Sequence, residues 1–361
     1  MKKIKVLVVD DSLLFREFLV RVINSIPQLM VVAACEDVFQ ARDAILKFHP
    51  DVVTCDVSMP RMDGIEFVRQ LLPQYKIPVI MVSSFTGKVF DALEAGAVDF
   101  VNKPAMLNDK EIEKFVKNEL ASKIIVAASV KFDKNNKSSM PVNSRTVRPV
   151  NNTAPKSGAF SVLNRISSGK NVSDRIVAIG ASTGGTEAIL KVVKGFNPDI
   201  PGVVIVQHMP VGFTSLYAER LDRCCNVRVK EAKSGDRVEK GLVLIAPGDV
   251  QMKLSKDSNG YFVVCGGTTK VSGHCPSVDF LFKSVAETAK DKAIGVILTG
   301  MGADGAAGLL QMRSNGALTI GQNQQSCVVY GMPKVAYDIG AVKYQLDINE
   351  ISTKVYALLN L

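Results

Sequence analysis

Short apolar runs alternating with amphipathic stretches organise the first 120 residues. The runs are IKVLVV (4–9), MVVAA (30–34), DVVTC (51–55), PVIMV (78–82) and VDFV (98–101). Each is rich in β-branched residues and nearly unalternating, the pattern of parallel strands buried on both faces. Between them, the stretches near 13–26, 38–47, 64–72, 87–95 and 109–120 space their apolar residues as helices do. Five strand–helix repeats predict an α/β domain over 1–122, built on a doubly wound parallel sheet. From about 123 to 173 the periodicity fails. The segment KFDKNNKSSMPVNSRTVRPVNNTAPKSG is rich in Asn, Ser, Lys and Pro. It is too polar to bury a core and predicts a flexible linker.

The pattern resumes near Arg175 and predicts a second doubly wound α/β domain over 174–350. RIVAIGAS is a strand ending in a glycine-rich turn, and TEAILKVVKGF follows as a helix. VVIVQHM (203–209) is the next strand, followed by a helix from Thr214 to Leu221. VLIAPGD, VQMKL and YFVVCGG are strands, with an antiparallel hairpin near 249–265. SVDFLFKSVAETA (277–289) is helical, AIGVILTGMG (293–302) is a buried strand running into glycines, and ALTIGQ (317–322) is another strand. Residues 351–361 form a tail or a last helix.

The totals fit this division. A chain of 361 residues has room for two cores. The net charge is +9, but residues 121–174 hold nine basic groups against two acidic ones. The excess therefore lies mainly in the linker, whereas a nucleic-acid-binding domain gathers it on a folded face. Seven cysteines at irregular spacing, without a CxxC pair, suit buried thiols in a reducing compartment and offer no zinc knuckle. No run reaches the roughly 18 apolar residues of a membrane helix. The N-terminal apolar run meets Asp10 and Asp11 too soon to be a secretory signal.

Functional groups of open α/β sheets gather at the carboxyl ends of the strands. In the first domain those positions hold Asp10 and Asp11, Asp56, Ser83 and Lys103. Three carboxylates at one sheet edge repel unless a cation sits among them. Magnesium, which takes hard oxygen ligands, could be held by Asp10, Asp11, Asp56 and the Ser58 backbone carbonyl. Asp56 would then accept a phosphoryl group, with Lys103 offsetting its charge and the Ser83 hydroxyl donating to it. A single aspartate at a strand end can be just a helix cap; five such positions together are not explained that way. DD at 10–11, DVSMPRMDG at 56–64, S83–S84 and K103–P104 resemble the receiver domain of two-component response regulators over nearly all of residues 3–120. That resemblance implies phosphorylation by a histidine kinase and a switch linking Ser83 to Phe100.

In the second domain, GASTG at 180–184 fits G-x-S-x-G between a strand and a helix, which exposes Ser182 on a tight turn. Backbone N–H groups at the helix start can hold a developing oxyanion. A serine nucleophile needs a base, and the chain has three histidines. His49 follows a helix of the first domain. His208 ends a strand that neighbours the Ser182 strand and is the leading base, with His274 in reserve. The carboxylate that orients the imidazole is expected at Asp304, after ILTGMGA, with Asp236, Asp249 and Asp279 as competitors. Two other readings compete with a serine hydrolase. A dinucleotide loop would need G-x-G-x-x-G and an acid about 20 residues on; the segment lacks the middle glycine, and the region near 200–206 is apolar. The other is a receiver-linked binding module whose second domain is not catalytic.

AIGASTGG, VQHMP, APGD, GHCPSVDFLF and ILTGMGADGA resemble the catalytic domain of the chemotaxis receptor methylesterases, the CheB family. With a receiver in front, the resemblance spans essentially the full chain. It implies Ser182 as nucleophile, His208 as base and Asp304 as its partner, with Thr183 and Met301 around the oxyanion site and His274 as an accessory group. It further implies hydrolysis of glutamyl methyl esters on chemoreceptors to glutamate and methanol, glutamine deamidation, and control by phosphorylation. The implied partners are methyl-accepting chemoreceptors and a chemotaxis histidine kinase, with no nucleic acid and no membrane insertion. Hydrolysis needs no cofactor, Mg2+ serves the receiver, and the implied setting is the cytoplasm.

Overall fold

The computed structural model describes residues 2–71, 74–83, 88–104, 108–129 and 174–360. Ser84 and most of the expected linker lie outside them. The first domain runs β1 (Ile4–Val9), α1 (Leu13–Asn24), β2 (Leu29–Cys35), α2 (Val38–Phe48), β3 (Val52–Asp56), α3 (Gly64–Leu71), β4 (Val79–Ser83), α4 (Val89–Glu94), β5 (Asp99–Asn102) and α5 (Asp109–Phe115). The sheet order is β2-β1-β3-β4-β5, parallel throughout. Every residue of β3 and β4 is buried, as their unalternating apolar runs require. Ser12 and Asp37 cap α1 and α2 by accepting from backbone N–H groups of the first turns.

The helical run does not stop near 122. After α5 it passes through a π-helical turn, Val116–Leu120, into α6 (Ala121–Ser129). Leu120, Ile124 and Ala127 are buried at helical spacing, and α6 packs on β4. This apolar stripe carries the helix into the stretch whose polar composition predicts a linker.

The second domain comprises β6 (Ile176–Ala181), α7 (Gly185–Lys194), β7 (Val203–Gln207), α8 (Phe213–Cys224), β8 (Arg228–Glu231), β9 (Leu242–Ile245), β10 (Met252–Asp257), β11 (Gly260–Cys265), α9 (Val278–Thr288), β12 (Ala293–Ile297), α10 (Ala306–Ser314), β13 (Leu318–Gln322), α11 (Met332–Asp338), β14 (Tyr344–Leu346) and α12 (Ile351–Leu359). Seven parallel strands follow the order β14-β13-β12-β6-β7-β9-β8. The antiparallel hairpin β10–β11 stands apart from that sheet. The first strand of the domain, β6, lies inside the sheet between β12 and β7. The chain therefore winds outward in both directions from this point, and a crevice opens at the carboxyl ends of these strands. Among the described residues no helix is long and apolar enough to cross a membrane.

Candidate active site

Ser182 follows β6 at the turn into α7. Its N–H donates to the Thr299 carbonyl (3.0 Å) and its carbonyl accepts from Gly185 N–H (2.7 Å). The close approach of the Thr299 segment requires Gly300: a Cβ there would lie 2.8 Å from Ser182 Cβ. His208 follows β7, and its N–H reaches the Ala181 carbonyl (3.2 Å), so the parallel ladder holds the two strand ends side by side. Asp304 lies beyond β12, the strand on the other side of β6.

Asp304 Oδ2 stands 2.7 Å from His208 Nε2. The carboxylate is buried and sits on the N-terminus of α9. Oδ2 also accepts from Val278 N–H (2.7 Å), and Oδ1 accepts from Asp279 N–H (2.9 Å) and the Ser277 hydroxyl (2.8 Å). Burial alone would raise the pKa of Asp304, but His208 and the α9 donors outweigh it and hold the carboxyl below its ordinary value. An ionised carboxylate only accepts, so Nε2 carries the ring hydrogen and Nδ1 is left as the acceptor. Nδ1 is buried and has no hydrogen-bond partner among the described residues.

His274 lies flat on the His208 ring, with centroids 3.8 Å apart and planes 11° apart. Burial, then the neighbouring His208, depresses its pKa to about 4 against the pull of Asp304. Its loop is fastened by Gln251 Nε2, which donates to the His274 carbonyl (3.1 Å), and by Ser272, whose hydroxyl donates to Asp279 (2.8 Å). Ser182, His208 and His274 line a cavity of about 970 Å³. Thr183 and Met301 line it too; Thr183 is buried, while Met301 is 41% exposed.

The competing residues fall elsewhere. His49 is the left-handed C-cap of α2. Asp236 is tied to Lys230 and the Lys233 N–H. Asp279 accepts from Gly308 N–H (2.7 Å) as well as from Ser272. Asp249 borders the cavity in a left-handed backbone conformation. Several residues around Ser182, His208 and Asp304 went unread in the sequence: Gln207, Ser277, Thr299 and Gln322. Ser277 had a signal, a serine directly before the helical run VDFLF. Thr299 and Gln322 had none, because their link, Thr299 N–H to Gln322 Oε1 at 2.8 Å, joins distant segments.

In the first domain Asp10, Asp11 and Asp56 each bring a carboxylate oxygen within 4.8 Å of the others. Lys103 Nζ lies 2.7 Å from Asp10 Oδ2 and 2.7 Å from Asp56 Oδ2. Burial disfavours this ammonium, but the two carboxylates prevail and hold its pKa above the ordinary value. Ser58 N–H donates to Asp56 Oδ1 (3.3 Å). Ser83 is buried at the end of β4, and its neighbour across the ladder is Asn102. Three carboxylates facing one ammonium leave excess negative charge, and all the donors are hard oxygens. The set fits a magnesium ion.

Phe100 reaches the second domain. Its ring lies 4.8 Å from Phe213 at the start of α8, and Phe90 stacks on Tyr217 at 5.5 Å. Arg220 of α8, bonded to Glu187 (2.8 Å), also faces Glu94 of α4 (3.7 Å). Lys103, Phe115 and Lys123 of the first domain border the same cavity as Ser182.

The family model for the CheB methylesterase matches residues 177–355, and that for the response regulator receiver domain matches residues 6–117. The chain is 51% identical, over 100% of its length and 99% of the relative's, to a protein-glutamate methylesterase/protein-glutamine glutaminase of Syntrophomonas wolfei. It is 46% identical to the one from Syntrophotalea carbinolica, covering 99% of this chain and 98% of the relative. The crystal structure of the Thermotoga maritima CheB methylesterase catalytic domain matches 52% of this chain and 100% of its own, with 39% identity and a TM-score of 0.51.

Proposed function

Because the chain belongs to the CheB methylesterase family, we propose that it hydrolyses glutamyl methyl esters of chemoreceptors to glutamate and methanol and deamidates receptor glutamines, under control of its receiver domain. The observation that carries the catalytic assignment is the 2.7 Å contact of His208 with the buried Asp304, at the cavity that Ser182 borders. Ser182 Oγ attacks the ester carbonyl while His208 Nδ1 takes its proton. Asp304 stabilises the imidazolium through Nε2–H. N–H groups around Thr183, just before α7, and Met301, beyond β12, receive the oxyanion. The carbonyl re-forms, the C–O bond to the methoxy group breaks, and the imidazolium returns its proton, releasing methanol. Water, deprotonated by His208, then cleaves the glutamyl-serine ester to glutamate. A glutamine follows the same course and releases ammonia.

Asp56 is the phosphoryl acceptor. Asp10, Asp11, Asp56 and the Ser58 carbonyl would hold Mg2+, which when bound offsets charge on the transferred group. Lys103 pairs with that group, the Ser83 hydroxyl donates to it, and Phe100 follows Ser83. Phe100 packs on Phe213, which opens the helix after His208, so its movement loosens the contact between receiver and α8. The unphosphorylated receiver therefore hinders access of a bulky receptor to the cavity. The receiver runs through α6 to Ser129, the methylesterase domain takes up 174–350, and the basic segment between them is the linker. The phosphodonor is a chemotaxis histidine kinase, and the setting is the cytoplasm.

Methanol released from methyl-labelled receptor tests the reaction. Ser182→Ala should lose at least about 10³-fold in rate. Release that survives this substitution would overturn the assignment.

A further inference from the structure

The residue before His208 holds both halves of the proposed nucleophile–base pair. Gln207 is the last residue of β7 and is 4% exposed. The β6–β7 register ends at Ala181 opposite Gln207, so Ser182 and His208 are the first residues outside the ladder. There the Gln207 side chain replaces the ladder. Its Nε2 donates to the Ser182 carbonyl (2.9 Å) and to the His208 carbonyl (3.2 Å). A carboxamide nitrogen has two hydrogens, and both are used.

The other end of the amide fixes its orientation. Oε1 is buried with no hydrogen-bond partner among the described residues. Turning the amide over would set this oxygen against two carbonyl oxygens. Space for Oε1 depends on Gly185, where a Cβ would come within 2.1 Å of it. An unpaired buried acceptor is destabilising, and an apolar side chain of similar length would fill this place without one. What such a side chain cannot supply is the pair of donors.

We propose that Gln207 is a positioning residue that fixes the separation of Ser182 Oγ and the His208 ring by tying their main chains to one amide nitrogen. The inference rests on the reading of Ser182 and His208 as nucleophile and base. Its effect belongs in the chemical step, because proton transfer is steep in donor–acceptor distance and the main chain sets that distance.

The test uses the full chain, a glutamyl methyl ester substrate, and Gln207→Met and Gln207→Glu beside Ser182→Ala. Gln207→Met keeps length and removes both donors; kcat should fall about 10- to 100-fold with KM changed less than about threefold. Gln207→Glu should be worse at neutral pH, where a carboxylate would face two carbonyls. Its kcat relative to the original protein should rise as acid protonates the side chain and restores one donor. The ratio at each pH, in which any titration common to both proteins cancels, is the readout. Folded fraction is measured by thermal melting. A Gln207→Met protein whose kcat falls only in proportion to its folded fraction overturns the inference, as does a Gln207→Glu ratio flat with pH. Activity persisting in Ser182→Ala overturns instead the reading on which it rests.

Discussion

Replacing Asp304 by asparagine removes one charge and leaves the shape. Asp304 now satisfies four donors: His208, Val278 N–H, Asp279 N–H and the Ser277 hydroxyl. An amide can keep the two at Oδ2 if its nitrogen takes the Oδ1 position, where the Ser277 hydroxyl can turn and accept. Asp279 N–H then loses its acceptor, which costs about 1–3 kcal/mol of stability. His208 keeps an acceptor at Nε2, so its tautomer survives and Nδ1 remains the base. The loss is confined to stabilising the imidazolium. Two unit charges about 4 Å apart interact by roughly 4 kcal/mol at an effective dielectric of 20, and exchanging a charged for a neutral hydrogen bond forfeits about 1–2 kcal/mol. A loss of about 2–4 kcal/mol in the transition state is a fall of roughly 30- to 1000-fold in kcat. The assay is steady-state hydrolysis of a small glutamyl methyl ester by the full chain, with a melting curve alongside. A fall under about threefold would refute the reasoning, because the imidazole would then need no charged partner.

Three other outcomes follow. His274 is neutral over most of the working range: its folded pKa is about 4 against an ordinary 6.5. The unfolded chain therefore binds more protons between these values, and stability, fully present above pH 6.5, is lost as pH falls toward 4; His274→Phe, which keeps a flat ring on His208, should flatten that part of the urea-midpoint profile, and an unchanged slope would contradict the assignment. Phe213→Ala removes the ring that meets Phe100 and, with aromatic pairs contributing about 0.5–1.5 kcal/mol beyond burial, should raise unphosphorylated activity on receptor several-fold while leaving a small ester less affected; equal activity on receptor before and after the change would count against the docked receiver. A small phosphodonor with Mg2+ should label Asp56, and labelling retained in Asp56→Asn would remove that assignment.

The strands and the candidate site positions at their ends were legible because buried parallel strands write themselves as apolar runs, and the residue after each run falls at the sheet edge. That logic reached Asp10, Asp56, Ser182, His208 and Asp304. It missed β8, whose sequence RVKE alternates charge with a single buried valine, and β14, which has three residues. It also missed α10, which begins AAG and carries little apolar contrast. The linker boundary was misread because composition masks the stripe of Leu120, Ile124 and Ala127. The supports of the triad stayed hidden for a different reason. Gln207 acts through its side chain on main-chain carbonyls, and the His274 stack joins segments far apart in sequence, so neither leaves a local pattern.

The central claim is an esterase whose nucleophile is Ser182 and whose access is gated by phosphorylation at Asp56. Methanol release from methyl-labelled receptor should be measured for the full chain with and without phosphodonor, and for a fragment beginning near Ser168. Phosphodonor should raise release by the full chain, and Asp56→Asn should abolish the rise. The fragment should exceed the unphosphorylated full chain and ignore the phosphodonor. A fragment no faster on receptor than the unphosphorylated full chain would contradict the gating, even with the triad intact.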